Sequence, residues 1–169
     1  RGNNSAENAL YSGTIGAAIE GTTHKIKSIA LSQYLGPKNI SIENPFEAAG
    51  AYGASVIQKL LKEGDWGTGD YRIFYNINFP PVPSQKVKGS KISSQGFRQN
   101  TSFGVEPHIS PGGRKFLWIK GGAQDVPTAK NTDAAANLDG YISVTPMKTD
   151  LTDYNTLNRL QKLFETNDT

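Results

Sequence analysis

A chain of 169 residues, 36% hydrophobic and 20% charged, has the length and apolar content for one folded domain with its own core. Its 18 basic and 15 acidic residues leave a formal net charge of +3, which tolerates an anionic ligand but argues against specific nucleic-acid binding. Cysteine is absent, which excludes disulfides and thiolate zinc sites and suits a reducing cytoplasm. No apolar run approaches a membrane span, so no membrane association is expected.

No secretory pattern opens the chain, and with Arg1 in first place we expect further protein upstream. The first predicted element is a helix starting near Ser12 or Thr14, with Ile15, Ala18, Ile19 and Thr22 on one face. A short, largely apolar strand follows at 27–33. Asn44 as N-cap and Pro45 at the first helical position then open a second helix. Its buried stripe is Ala49, Gly53, Val56, Ile57, Leu60 and Leu61, and Gly64 is its stop.

The aromatic-rich segment 72–80 reads as a strand ended by Pro80 and Pro81. Segments 89–97 and 114–121 read as a more exposed strand pair, with Pro111, Gly112 and Gly113 supplying turn chemistry. Small polar residues over 121–139 predict a long loop. A final strand at 140–147 and a helix after Thr152 or Asp153, with Leu157, Leu160 and Phe164 at helical spacing, complete the chain. This order predicts a single α/β domain: a layered core portion at 1–85, an antiparallel β appendage at 86–121, and a closing loop, strand and C-terminal helix at 122–169.

The chemistry gathers at the start. Ser12, Gly13 and Thr14 place two hydroxyls and a flexible glycine where a helix presents unpaired N–H groups and partial positive charge, which makes a phosphate cradle. Plain N-capping by Ser12 or Thr14 is the alternative. Gly2 permits close backbone approach, and the amides of Asn3 and Asn4 can coordinate a cation or donate to an anion; a turn is the alternative there.

His24 and His108 lack partners at metal-ligand spacing. Asp133 is expected in a polar loop and Asp153 as a helix cap, so neither they nor Asp150 form an acid pair. Lys86, Lys88, Lys91, Arg98, Arg114 and Lys115 read as a solvated hairpin face, or as a patch for a nucleotide or polyphosphate. Segment 114–121 is apolar on both faces, through Phe116, Leu117, Trp118 and Ile119. That calls for a cover, and a second subunit in a homodimer or tetramer is the expectation.

The opening RGNNSAENALYSGTIGAAIEG resembles the signature of the SurE family, the bacterial stationary-phase survival proteins. Gly2 and Asn4 fit its x-Gly-x-Asn part, Tyr11, Ser12, Gly13 and Thr14 its Tyr-Ser-Gly-Thr, and Glu20 and Gly21 its helix end. Three further blocks follow in family order: 28–33, 75–81 (through Asn76, Asn78 and Pro80) and 132–153.

The resemblance implies a Rossmann-like three-layer α/β/α core and a C-terminal part exchanged between subunits. It implies a metal-dependent phosphatase, using Mg or Mn, that hydrolyses nucleoside 5′- and 3′-monophosphates, with polyphosphate cleaved by some members. The family's cation ligands and its nucleophile or base aspartate would all stand upstream of Arg1, leaving no metal ligand within this chain. Gly2, Asn4, Ser12, Gly13 and Thr14 would form the substrate-binding wall, with Asn4 and Ser12 as catalytic support. Two other classes stay open: a non-catalytic nucleotide- or anion-binding module, and a dimerisation domain.

Overall fold

The computed structural model describes residues 2–36, 39–99, 101 and 104–164. Its α-helices are α1 (Gly13–Thr23), α2 (Glu47–Glu63), α3 (Asp133–Leu138) and α4 (Tyr154–Phe164). Its strands are β1 (Ile29–Gln33), β2 (Ile73–Phe79), β3 (Ser90–Ile92), β4 (Gly104–Ile109), β5 (Lys115–Lys120) and β6 (Ile142–Lys148). A 3-10 turn over Ala6–Tyr11 leads into α1.

One four-stranded sheet runs β1-β2-β6-β3. β1 and β2 are parallel, β6 is antiparallel to β2, and β3 is parallel to β6. Alternation along β2 divides its side chains between two faces. Tyr75, Ile77 and Phe79 join Ala48, Ile142 and Val144 in a core beneath α2, with Val56 and Leu60 packed against it. Phe74 joins Ala9, Ile15, Ala18 and Ala30 beneath α1. The result is a three-layer α/β/α core with a mixed sheet.

Further along the α1 face, apolar packing gives way to amides and hydroxyls. Ser32, Asn78 and Ser143 form one row across three strands, and Asn76 pairs with Thr145 in another. All five are buried.

α1 starts where expected and Gly64 caps α2 as expected, but Ile19 and Leu61, expected on the buried faces, are exposed. α2 begins two residues after Pro45. Asn44 Oδ1 accepts from the Phe46 N–H at 3.1 Å, and Asn44 O accepts from the Glu47 N–H at 3.0 Å, so a turn occupies the expected cap.

Three other expectations change. Segments 89–97 and 114–121 do not pair: β3 joins the main sheet beside β6, and β5 pairs with β4. β4 was hidden because Pro107 falls within it, and proline is tolerated in a two-stranded ribbon whose outer edges carry no ladder. The turn between β4 and β5 does use the expected glycines, with Gly113 at φ +77. The 121–139 loop contains α3, capped by Thr132, whose Oγ1 accepts from the Ala135 N–H at 3.4 Å. Six helical residues are too few to show periodicity.

Gln33 fastens the strand ends. Its Nε2 donates to the carbonyls of Tyr34 (3.0 Å) and Pro80 (2.9 Å), and its Oε1 accepts from the Ala49 N–H at 3.2 Å. One buried amide thus links β1, the exit of β2 and the first turn of α2. Gln33→Leu leaves these groups unsatisfied and should lower unfolding free energy by about 1–3 kcal/mol, read from the urea midpoint at constant m-value.

Candidate active site

The parallel strands β1 and β2 both end at the loop that carries residues 2–11 into α1. In open α/β sheets this carboxyl-end crevice is where ligands bind. Here the loop is held by β2's own side chains. Asn78 Oδ1 accepts from the Asn4 backbone N–H at 2.6 Å, and Asn76 Nδ2 donates to the Asn4 carbonyl at 2.8 Å. Asn78 Nδ2 in turn donates to Asn76 Oδ1 at 3.2 Å. The peptide groups of Asn4 are therefore engaged by two fully buried carboxamides acting as a substitute strand. Its side-chain Nδ2 donates to Ser32 Oγ on β1.

The second half of the chain completes the support. Asp133, at the start of α3, accepts from the backbone N–H groups of Ala6 (3.0 Å), Gly96 (2.9 Å) and Ala134 (2.7 Å). Ala6 is non-glycine at φ 54, a left-handed conformation that persists only where surrounding contacts impose it. Burial pushes the Asp133 carboxyl above the ordinary carboxylate range, while those N–H donors and the Arg98 charge act in the opposite direction.

Arg98 is itself 1% exposed. Its guanidinium donates to the Ser5 carbonyl (3.2 Å), Ser5 Oγ (2.9 Å), Glu7 Oε1 (3.2 Å) and the Gln124 carbonyl (3.3 Å). This removes it from the expected solvated face or nucleotide patch. Lys88 and Lys91 remain exposed, as expected of a solvated face, and lie over the Tyr141 ring at 5.7 and 3.8 Å.

All five residues singled out for substrate binding border one cleft of about 400 Å³: Gly2, Asn4, Ser12, Gly13 and Thr14, beside Ser32. Gly2 stands at φ +137 with open space where a Cβ would project. Ser12 also caps α1, its Oγ accepting from the Ile15 N–H at 3.1 Å. Gly13 and Thr14, exposed in the first turn, carry N–H groups that have no intrahelical acceptor. The cleft thus has a helix N-terminus on one side and polar strand ends on the other.

Sequence reasoning missed the supporting residues. Asn76 and Asn78 carried a signal, two amides at period two in an aromatic strand. Ser32, Arg98 and Asp133 carried none. His24 and His108 are peripheral, His24 on Glu20 (3.0 Å) and His108 stacked on Phe116 with ring centroids 5.7 Å apart. Asp153 caps α4 as expected, Oδ1 accepting from the Thr156 N–H at 3.0 Å. Among the described residues, no group of three or more His, Cys, Asp or Glu is placed to hold a metal ion.

The family profile described as survival protein SurE matches residues 1–102, more than half the chain. The chain belongs to the SurE family. A protein named 5′-nucleotidase SurE from Cereibacter sphaeroides is 58% identical over 163 residues, covering 96% of this SurE-family chain and 62% of that protein. A protein of the same name from Roseobacter denitrificans is 59% identical over 152 residues, 90% of this chain and 58% of that protein. The crystal structure of a SurE protein from Aquifex aeolicus superposes with a TM-score of 0.69 at 32% identity, covering 96% of this chain and 61% of that one. This chain spans about three-fifths of the length of the relatives it matches.

Because Arg98 is the buried partner of Glu7 and Ser5, Arg98→Met leaves the half-buried Glu7 carboxylate with only the residue 98 backbone N–H and strips the guanidinium donor from Ser5 and Gln124. It should cost about 3 kcal/mol, measured by urea unfolding. Adding Glu7→Gln should return part of the loss. A single variant as stable as the parent would show that the pair is not what pins this loop.

Proposed function

We propose that this chain is part of a divalent-metal-dependent phosphomonoesterase that hydrolyses nucleoside 5′- and 3′-monophosphates to nucleoside and phosphate. The observation that carries the reading is the convergence of Asn4, Ser12, Gly13 and Thr14 on one cleft at the strand ends. The names of the close relatives, 5′-nucleotidase SurE, support the same reaction.

The donors that the described residues bring to the cleft are neutral. The first-turn N–H groups of α1, with the Asn4 Nδ2 hydrogen not given to Ser32, direct positive dipole ends at a phosphate and hold it as its charge redistributes. The clasp by Asn76 and Asn78 sets the Asn4 backbone before substrate arrives, so little reorganisation is needed. The described residues do not by themselves fit a cation site. The Mg or Mn ion of this proposal takes ligands from outside the described residues. Such an ion supplies charge neutralisation and a more acidic bound water.

The wider assembly follows from exposed apolar surface. Leu117, Trp118 and Ile119 on β5 and Leu157 and Leu160 on α4 are all exposed, which supports a homodimer or tetramer formed through these elements. The cysteine-free composition supports a cytoplasmic setting.

In the full-length protein, Asn4→Ala should lower kcat for phosphate release by about 10²-fold with little change in melting temperature. Ser12→Ala should lower turnover and also cost about 1 kcal/mol of stability, because its hydroxyl caps α1. Full activity in both variants would end this assignment.

Chelation by EDTA should abolish phosphate release from a nucleoside monophosphate, and added Mn²⁺ should restore it. Undiminished release in EDTA would contradict metal dependence. Ligand-dependent melting without phosphate release would instead identify a binding module.

A further inference from the structure

A second compartment of about 430 Å³ shares Gly2, Asn3, Asn4, Tyr11 and Ser12 with the cleft beside α1. Its outer wall comes from the segment following β5, through Gly121, Gly122 and Gln124, and its floor from Asn8 and Leu35. The volume lies in the range of about 300–1,000 Å³ typical of small-molecule sites. Five shared lining residues place the two compartments side by side.

The lining is selective in its chemistry. Among the described residues no Lys, Arg, Asp or Glu borders the second compartment, and the polar lining they supply is carboxamides and hydroxyls. The carboxamides in this lining favour a ligand with polar groups of its own over an acyl chain. What remains is a neutral ligand with an apolar face and a polar edge. Tyr11 supplies an exposed ring at the shared wall. Asn3, Asn8 and Gln124 supply carboxamides, which present a donor and an acceptor side by side as the edge of a nucleobase does.

The wall is also built rather than incidental. Asn8 Nδ2 donates to Gln124 Oε1 at 2.5 Å and to Asn3 Oδ1 at 3.3 Å, aligning the three amides. Gln124 Nε2 donates to the Gly122 carbonyl at 2.9 Å. Behind them the buried Arg98 guanidinium bonds Ser5 on one side and the Gln124 carbonyl on the other. Two segments more than a hundred residues apart are thereby held at a fixed spacing across the opening.

We propose that this compartment takes the nucleoside half of the substrate, with Tyr11 against the face of the base and the amides of Asn8 and Gln124 along its edge. The inference rests on the phosphomonoesterase reading of the adjoining cleft and adds to it a specificity-determining wall.

The test compares two substrates in the full-length protein with Mn²⁺: adenosine 5′-monophosphate and phenyl phosphate, which has no base edge. The measured quantity is the ratio of their kcat/KM values. Losing one amide contact should lower that ratio about tenfold in Asn8→Ala and in Gln124→Ala, provided each variant melts as a folded protein. An unmoved ratio in both folded variants overturns the proposal. Should the parent protein hydrolyse neither substrate, the phosphomonoesterase reading fails, and calorimetric titration with adenosine decides the compartment separately. About tenfold weaker binding in Gln124→Ala would then uphold it. Equal binding, or none to the parent, would overturn it.

Discussion

The arrangement depends on how the peptide of Asn4 is satisfied. A loop that lies over strand ends and turns into a helix has backbone groups with no strand beside them, and each one buried without a partner costs about 1–3 kcal/mol. Asn76 and Asn78 solve this with one donor and one acceptor from the same face of β2. Their two-residue spacing is required, because adjacent positions on a strand face opposite ways. The clasp therefore follows from the strand's pleat, and the position of the Asn4 side chain follows from the clasp.

Two charges from later in the chain make that placement permanent. Asp133 reaches the site loop because α3 packs beside β6 and β2. It accepts the N–H groups of Ala6 and Gly96, so one carboxylate joins the loop at 6 to the segment after β3. Arg98 then spans the residual gap between Ser5, Glu7 and Gln124. Removing a buried charge from water is expensive, and these ions meet that cost with several backbone partners each. An ionic network of this kind is costly as a source of stability. Its value lies in geometry, since it fixes the loop at a conformation that includes a left-handed alanine.

These features explain what could be read in advance. The α/β class, α1, β1, β2, β6 and α4 were legible because period, caps and proline stops are local signals. The cleft residues Gly2, Asn4, Ser12, Gly13 and Thr14 were legible because they lie within thirteen positions of one another, at a helix start. Arg98 was read as solvated and Asp133 as part of a loop, since burial of a charge depends on partners about ninety or more positions away. β3 was assigned to the wrong neighbour for a related reason. Three exposed residues carry too little pattern to say whether they pair with the next strand or with one fifty positions later.

Ser12 shows why the local alternatives did not have to exclude each other. Its hydroxyl oxygen is engaged by the Ile15 N–H, so capping is real. A hydroxyl that accepts from its helix still has its own proton to donate, and a cap that fixes the first turn also fixes the direction of the Gly13 and Thr14 N–H groups. Among the described residues the polar side chains bordering this cleft are neutral, so what they turn toward it are oriented dipoles, whose influence falls off within about one helical turn. The direction of those dipoles is set by the cap at Ser12 and by the supports behind Asn4.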